Sequence, residues 1–405
     1  MHEVAITGMG IVSCLGTGHK KVRQALKEGH SGVVVDEERK KIGFRSALTG
    51  RIDDFKRPKL ERKKYRTMTE FGVHAYGAAL EAIEMAGWNE EEVKNEKTGL
   101  IIGNDSTTLA NYNQVEITLR EKSTFPIGAG IVFQALNSTV TMNLNTILGT
   151  QGASWTLSGA CASGGHAIGQ ASDLIAMGRQ DRIICGGAQE INWESVSSFD
   201  ATNAFSLKED EPDRASRPFD STRDGLVPSG GAAIVALERL DLAKKRGANI
   251  LGKIRSYAFS SDGANLSVPS GKGLERCIRE CLKRGEITST AIDYICAHAT
   301  STPIGDEAEA RAIFGVFGDK TPWISSTKSM TGHEMWMAGA AQVVYSILMS
   351  QGSFIAPNIN FTGQEEGVPP LNITAETIDK KPDLILCNSA GFGGTNSCLL
   401  LDTGI

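Results

Sequence analysis

The chain has 405 residues, 40% of them hydrophobic and 22% charged, an ordinary globular composition with enough material for a large core. A net charge of −5 argues against nucleic acid as the main partner, and no apolar run approaches the roughly 20 residues of a membrane span. A strand starting at Glu3 leaves no room for a signal peptide, and the eight cysteines form no C-x-x-C pair, so reduced thiols in the cytosol are expected.

VAITGMGIVS opens as a strand and a glycine turn. Gly8 and Gly10 resemble half of a dinucleotide fingerprint, but Ser13 takes the third glycine position and no acidic partner follows, which sets a Rossmann reading aside. A short helix spans Val22 to Lys27, a polar basic stretch runs from Lys40 to Arg66, and an alanine-rich helix covers Glu70 to Met85. GLIIGN (99–104) is a buried strand. The segment from about 105 to 150 has two helical patches and reads as a cap inserted over the core. Trp155 to Gly178 is a short strand, a Gly/Ser/Ala turn holding Cys161, and a helix of small and apolar residues that must be buried on all sides. DRIICGGAQE (181–190) is another buried strand, Phe199 to Gly225 a polar loop, and a strand from Gly231 leads into a basic helix ending at Gly247.

There the first half ends (1–247), and the second (248–405) repeats its order. YICAHATS (294–301) matches GLIIGN, the stretch from Trp323 matches the one from Trp155, DLILCNSAGFGGTN matches DRIICGGAQEIN, and SCLLLD matches AAIVALE. Strands alternating with helices imply α/β layers with parallel pairing, and two such halves stacked would bury helices between two sheets.

Cys161 stands at a helix N-terminus, whose free N–H groups and dipole stabilise a thiolate. Small neighbours leave room for a substrate; a plain core cysteine is the alternative. His298 and His333 fall at strand-to-helix turns, His333 on the turn that answers the Cys161 turn. Zinc ligation by this cysteine and these two histidines competes, but no fourth ligand is evident. Lys328, if buried, needs an anion, with Glu309 or Asp306 the candidates; a surface lysine is the alternative. Phe392, flanked by glycines, offers a backbone N–H to an oxyanion, unless the GFGG run is a simple β-bulge.

SGACASG, RPFDSTRDGLV, HATSTPIGDEAEA, STKSMTGH and NSAGFGGTN, in this order over essentially the whole chain, resemble the β-ketoacyl-acyl-carrier-protein synthases, the elongating type I and II enzymes and type I most of all. The resemblance implies a thiolase-like αβαβα sandwich and a homodimer. It implies that Cys161 takes an acyl chain from acyl carrier protein as a thioester, that His298 and His333 assist decarboxylation of the malonyl-carrier, and that the N–H groups of Cys161 and Phe392 form the oxyanion hole. Lys328 paired with Glu309 would support the histidines, Thr300 and Thr302 would hold a phosphopantetheine arm carried by the partner, and Phe199 would join the substrate site. No cofactor or metal of the chain's own is implied. Lys63 and Arg66 fall where the family docks its acidic carrier; on charge alone they could equally be a solvated helix face.

Two departures stand out. Ala390 replaces a usual Phe, and Glu334, Met335 and Trp336 replace a run of serine or leucine, leucine and glycine. Trp336 and Ala390 are expected to reshape the substrate cavity, which keeps a ketosynthase of a secondary-metabolite pathway, polyketide or aryl polyene, beside fatty-acid elongation. A degradative thiolase would need a second cysteine followed by x-Gly, which Cys398 does not provide; an initiating synthase would pair one His with an Asn; a non-catalytic chain-length-factor-like partner would lack Cys161.

Overall fold

Ten strands, five from each half, carry the architecture of the computed structural model, which describes residues 1–404. The first half supplies β1 (Val4–Ser13), β2 (Thr98–Gly103), β3 (Ser154–Leu157), β4 (Arg182–Gln189) and β5 (Gly231–Arg239). The second supplies β6 (Gly252–Ser261), β7 (Tyr294–Cys296), β8 (Trp323–Ser325), β9 (Leu384–Gly391) and β10 (Thr395–Asp402). The spatial order is β3-β2-β4-β5-β1 followed by β6-β10-β9-β7-β8, so each half reads third, second, fourth, fifth, first. Pairing sense is duplicated too. In both halves the second strand runs parallel to the third and fourth, and the fifth runs antiparallel to the fourth and first.

The two five-stranded units meet between β1 and β6 along three residue pairs, Val4–Ile254, Ala5–Lys253 and Ile6–Gly252. The sequence-level match between halves thus extends to a pair it had not found. GKIRSYAFSS in β6 exposes alternate residues to solvent, whereas VAITGMGIVS in β1 is buried throughout, so the two strands share no visible pattern.

Helices complete the layers. α1 (Glu70–Ala86) starts where the Thr69 hydroxyl accepts the Gly72 N–H and stops at Gly87 in the left-handed region; it packs on the first sheet. α2 (Ser163–Ala176) and α5 (Ala338–Gly352) pack against each other and touch strands of both halves. α3 (Lys272–Arg284) covers β6 and β10, with α4 (Pro303–Phe317) beside it. The result is an αβαβα stack. Burial on every side holds for α5, whose residues 338 to 350 are all buried, but α2 keeps Gln170 and Asp173 partly accessible. Small residues at this middle layer are obligatory. A Cβ on Gly339 would lie 2.6 Å from the Gly165 nitrogen, so main chain meets main chain with no space between.

The cap contains three helices rather than two patches, 108–121, 131–135 and 139–148. It leaves Tyr112, Val115, Leu119, Phe125 and Phe133 exposed. Phe199 is not in a loop: it lies on the helix Trp193–Asp200, started by the Asn192 side chain, and the irregular stretch begins after it.

Candidate active site

Cys161 sits in a single 3₁₀ turn, Ala160–Ala162, between β3 and α2. Ala160 has φ 46°, a left-handed conformation unusual for a residue with a side chain. The other half repeats this turn at Met335–Met337, with Met335 at φ 45° and α5 following. Position for position, then, Cys161 corresponds to Trp336; His333 lies three residues earlier on the same connection.

The second half brings both histidines to the sulfur. His333 is pinned by its backbone, its N–H donating to Val227 O at 2.6 Å and its C=O accepting from the Ser229 N–H at 2.9 Å. Its Nε2 then lies 3.1 Å from Cys161 Sγ. His298 follows β7 by two residues, and the Gln342 side chain on α5 donates to the carbonyls of Cys296 and Ala297 just before it. The two imidazoles meet edge to face with centroids 5.3 Å apart. The backbone N–H groups of Cys161 and Phe392 face the sulfur and favour its charged form.

Cys161, His298, His333, Thr300, Thr302, Glu309, Phe199, Ala390 and Phe392 all line one cavity of about 510 Å³. Thr300 and Thr302 hydroxyls are 3.0 Å apart, and the Phe392 ring stacks on Phe199 at 6.1 Å. Trp336 does not line this cavity. It is packed with Cys161, Val196, Phe205, Leu226 and Met335, and its Nε1–H donates to Ser106 Oγ of the cap at 3.1 Å. Lys63 and Arg66 are exposed, on and just after the short helix Arg62–Tyr65, away from the cavity lining.

Two expectations are corrected. Cys161 is not held as a thiolate: burial pushes its thiol up to about 12, outweighing Lys328 and the two backbone N–H groups, with Asp105 adding to the rise. The N-terminus of α2, which the turn leads into directly, does not offset the loss of solvent around the buried sulfur. Both histidines are pushed well below the ordinary imidazole value, by burial first and then by Lys328, with His333 adding to the effect on His298. The resting pair is therefore neutral thiol and neutral imidazole.

Nor does Lys328 pair with Glu309. Glu309 Oε1 and Oε2 accept the N–H groups of His298 (2.9 Å) and Ala299 (2.6 Å), and the Asn388 amide adds a third bond. Asp306, the other candidate, accepts from the Thr300 and Phe219 N–H groups instead. These carboxylates orient the His298 turn through its backbone, while Lys328 Nζ is left with no hydrogen-bond partner.

Some supporting residues gave no signal in the sequence. Asp105 accepts the Ala160 N–H at 2.9 Å and so braces the Cys161 turn from the loop after β2. His166 bridges Tyr257 Oη (2.7 Å) and Thr395 Oγ1 (2.9 Å), tying α2 to the residue that follows the GFGG run. Among the described residues, no cluster of three or more His, Cys, Asp or Glu side chains could hold a metal ion, and no helix is long and apolar enough to cross a membrane.

Comparison with known proteins gives consistent relatives. The family described as Beta-ketoacyl synthase, N-terminal domain matches residues 1–243, and the one described as Beta-ketoacyl synthase, C-terminal domain matches 251–362. The chain is 41% identical to 3-oxoacyl-[acyl-carrier-protein] synthase 1 of Haemophilus influenzae over 99% of this chain and 98% of that one. A crystal structure of a beta-ketoacyl synthase from Burkholderia phymatum superposes with a TM-score of 0.94 at 32% identity, covering all of both chains. A type II PKS acyl-carrier protein in complex with its ketosynthase also superposes, with a TM-score of 0.88 at 26% identity over 99% of each chain.

Proposed function

The chain belongs to the β-ketoacyl synthase family, and from that premise we propose how its own residues carry out the condensation of an acyl thioester with malonyl-acyl-carrier protein in fatty-acid elongation. One observation carries the assignment of roles: the 3.1 Å approach of His333 Nε2 to Cys161 Sγ at one end of a cavity that His298 and Phe392 also line.

The Cys161 thiol gives its proton to His333 as the sulfur attacks the acyl carbonyl; with the thiol at about 12 and the imidazole depressed, prior ionisation is strongly uphill and transfer accompanies attack. The N–H groups of Cys161 and Phe392 stabilise the tetrahedral oxyanion, each worth about 100- to 1,000-fold in rate. Collapse expels the carrier thiolate, which recovers the proton. In the second stage the carboxylate–carbon bond of the malonyl group breaks and CO2 leaves. The electron pair remains as an enolate whose oxygen accepts hydrogen bonds from the two neutral histidines. The enolate carbon attacks the Cys161 thioester, and the Cys161 thiolate leaves and takes up one proton.

Thr300 and Thr302 would guide the pantetheine arm, which arrives on the acyl carrier protein, so the chain needs no resident cofactor of its own. The carrier would dock on Lys63 and Arg66. A second copy of the chain would pair along β3, an edge strand whose Ser154 and Trp155 are exposed beside the exposed apolar cap. Eight unpaired cysteines favour the cytosol.

Mass spectrometry after incubation with acyl-carrier protein tests the scheme. The acyl mass should appear on the Cys161 peptide, and His298→Ala should still acylate while losing decarboxylation. Acylation at another cysteine, or unchanged decarboxylation, would refute it.

A further inference from the structure

Ala160, the residue before Cys161, stands at φ 46°, a conformation that a side chain disfavours and that lasts only where the surroundings impose it. Two side chains impose it here. Asp105 Oδ2 accepts the Ala160 N–H at 2.9 Å, which fixes the peptide before the residue. The Ser163 hydroxyl donates to the Ala160 C=O at 2.6 Å and accepts the Gly159 N–H at 2.9 Å, which fixes the peptide after it. With both planar peptides held, neither backbone torsion of Ala160 is free. The second of them carries the Cys161 N–H, so the direction of that donor is fixed too.

The answering turn of the other half reaches the same conformation differently. Met335 has φ 45°, and among the described residues no side chain accepts its N–H. Met335, Trp336 and Met337 are all buried, so packing holds that turn. Ser158 is exposed and Gly159 and Ala160 are half-buried, so the Cys161 turn depends on hydrogen bonds instead. Asp105 is itself anchored: the Ser158 hydroxyl donates to Asn104 O at 2.9 Å, and the Asn137 amide of the cap donates to Asp105 O at 3.1 Å. It does not line the cavity, so it reaches the reaction only through the turn.

We infer that Asp105 is a positioning residue: together with Ser163 it holds Ala160 in the left-handed conformation, and so aims the Cys161 N–H at the oxygen of the acyl carbonyl. The inference rests on the reading of Cys161 as the nucleophile and of its N–H as an oxyanion donor. The carboxylate's charge is not what the reaction draws on, since a negative charge at Asp105 disfavours a thiolate at Cys161. What matters is a hydrogen-bond acceptor at that place.

Two reactions of Cys161 separate these roles, each followed by mass on its own peptide. Acylation by an acyl-carrier protein passes through a tetrahedral oxyanion, whereas alkylation by iodoacetamide is a displacement at saturated carbon and forms none. Asp105→Ala should slow acylation about tenfold or more, towards the roughly 100-fold cost of one lost oxyanion donor, while alkylation runs at least as fast as in the unaltered protein. Asp105→Asn keeps an acceptor without the charge and should recover most of the acylation rate. Unchanged acylation in Asp105→Ala, an equal slowing of both reactions, or no recovery in Asp105→Asn overturns the inference. Should Asp105→Ala fail to fold, Asp105→Glu decides: it keeps the carboxylate but displaces the acceptor by one methylene, so acylation should drop while alkylation holds, and an unchanged acylation rate overturns the proposal. Absence of an acyl mass on Cys161 in the unaltered protein is a separate outcome, which overturns the nucleophile reading and the inference with it.

Discussion

The same backbone turn occurs twice in this molecule and is used in opposite ways. At Ala160–Ala162 it presents Cys161 to a cavity; at Met335–Met337 it buries the Trp336 indole beside the same sulfur. The turn geometry alone therefore does not decide whether a side chain reaches the cavity. The difference lies in what each turn faces: the Cys161 turn meets two imidazoles and a glycine run from the other half, and the Trp336 turn meets an apolar cluster and one cap hydroxyl. Duplication provided two display positions, and only one of them opens on the cavity.

The largest effect expected from breaking this contrast comes from Cys161→Ala. Condensation measured by release of labelled CO2 together with β-ketoacyl product should fall by at least about 10⁴-fold while the fold is retained. Next, Trp336→Ala removes a buried aromatic at the matching position and should lower stability in denaturant titration by about 3 to 5 kcal/mol. A milder Trp336→Phe that keeps the fold reaches the cavity through Phe199, whose ring lies 6.2 Å from the indole, and should still shift the preferred acyl chain length in a series of graded acyl-carrier substrates; an identical profile would remove Trp336 from specificity.

A third test uses pH. His166 on α2 is pushed down to about 4 by burial, whereas its counterpart on α5 is Ala341, with no charge to lose. The unfolded chain binds a proton near pH 6.5 and the folded chain resists it until about 4, so the stability from this group is complete above 6.5 and drains away as pH falls through that window. After allowance for its partial exposure, about 2 kcal/mol of acid-dependent loss should vanish in His166→Gln when unfolding is followed between those pH values. The smallest effect belongs to Ser106→Ala, which frees the Trp336 N–H from the cap and should cost about 1 kcal/mol in the same titration.

Much of this was legible in the chain. The matched stretches from Trp155 and Trp323, and the strands that follow them, appear in the structure as equivalent strands in equivalent order, because small-residue helices and buried strands constrain sequence tightly. The convergence of Cys161 with His298 and His333 followed from turn positions for the same reason. What escaped was direction. That Glu309 turns toward backbone N–H groups rather than toward Lys328 depends on rotamers set by α4 and β9, which no spacing encodes. The expected thiolate failed on magnitude: the residue pattern showed the helix terminus but not the depth of burial opposing it. Phe199 was misplaced because WESVSSFD is polar on most positions and its helix is marked only by the Asn192 cap.

Three residue pairs are all that bind the first sheet to the second by main-chain ladder. With so slight a stitch, the distance between sulfur and imidazole is set by the interlocked glycines of the central helices together with the main-chain bonds that hold His333 to Val227 and Ser229 of the first half. Neither portion could be detached, transplanted or loosened without dissolving the reaction centre, because that centre exists only as the contact between them.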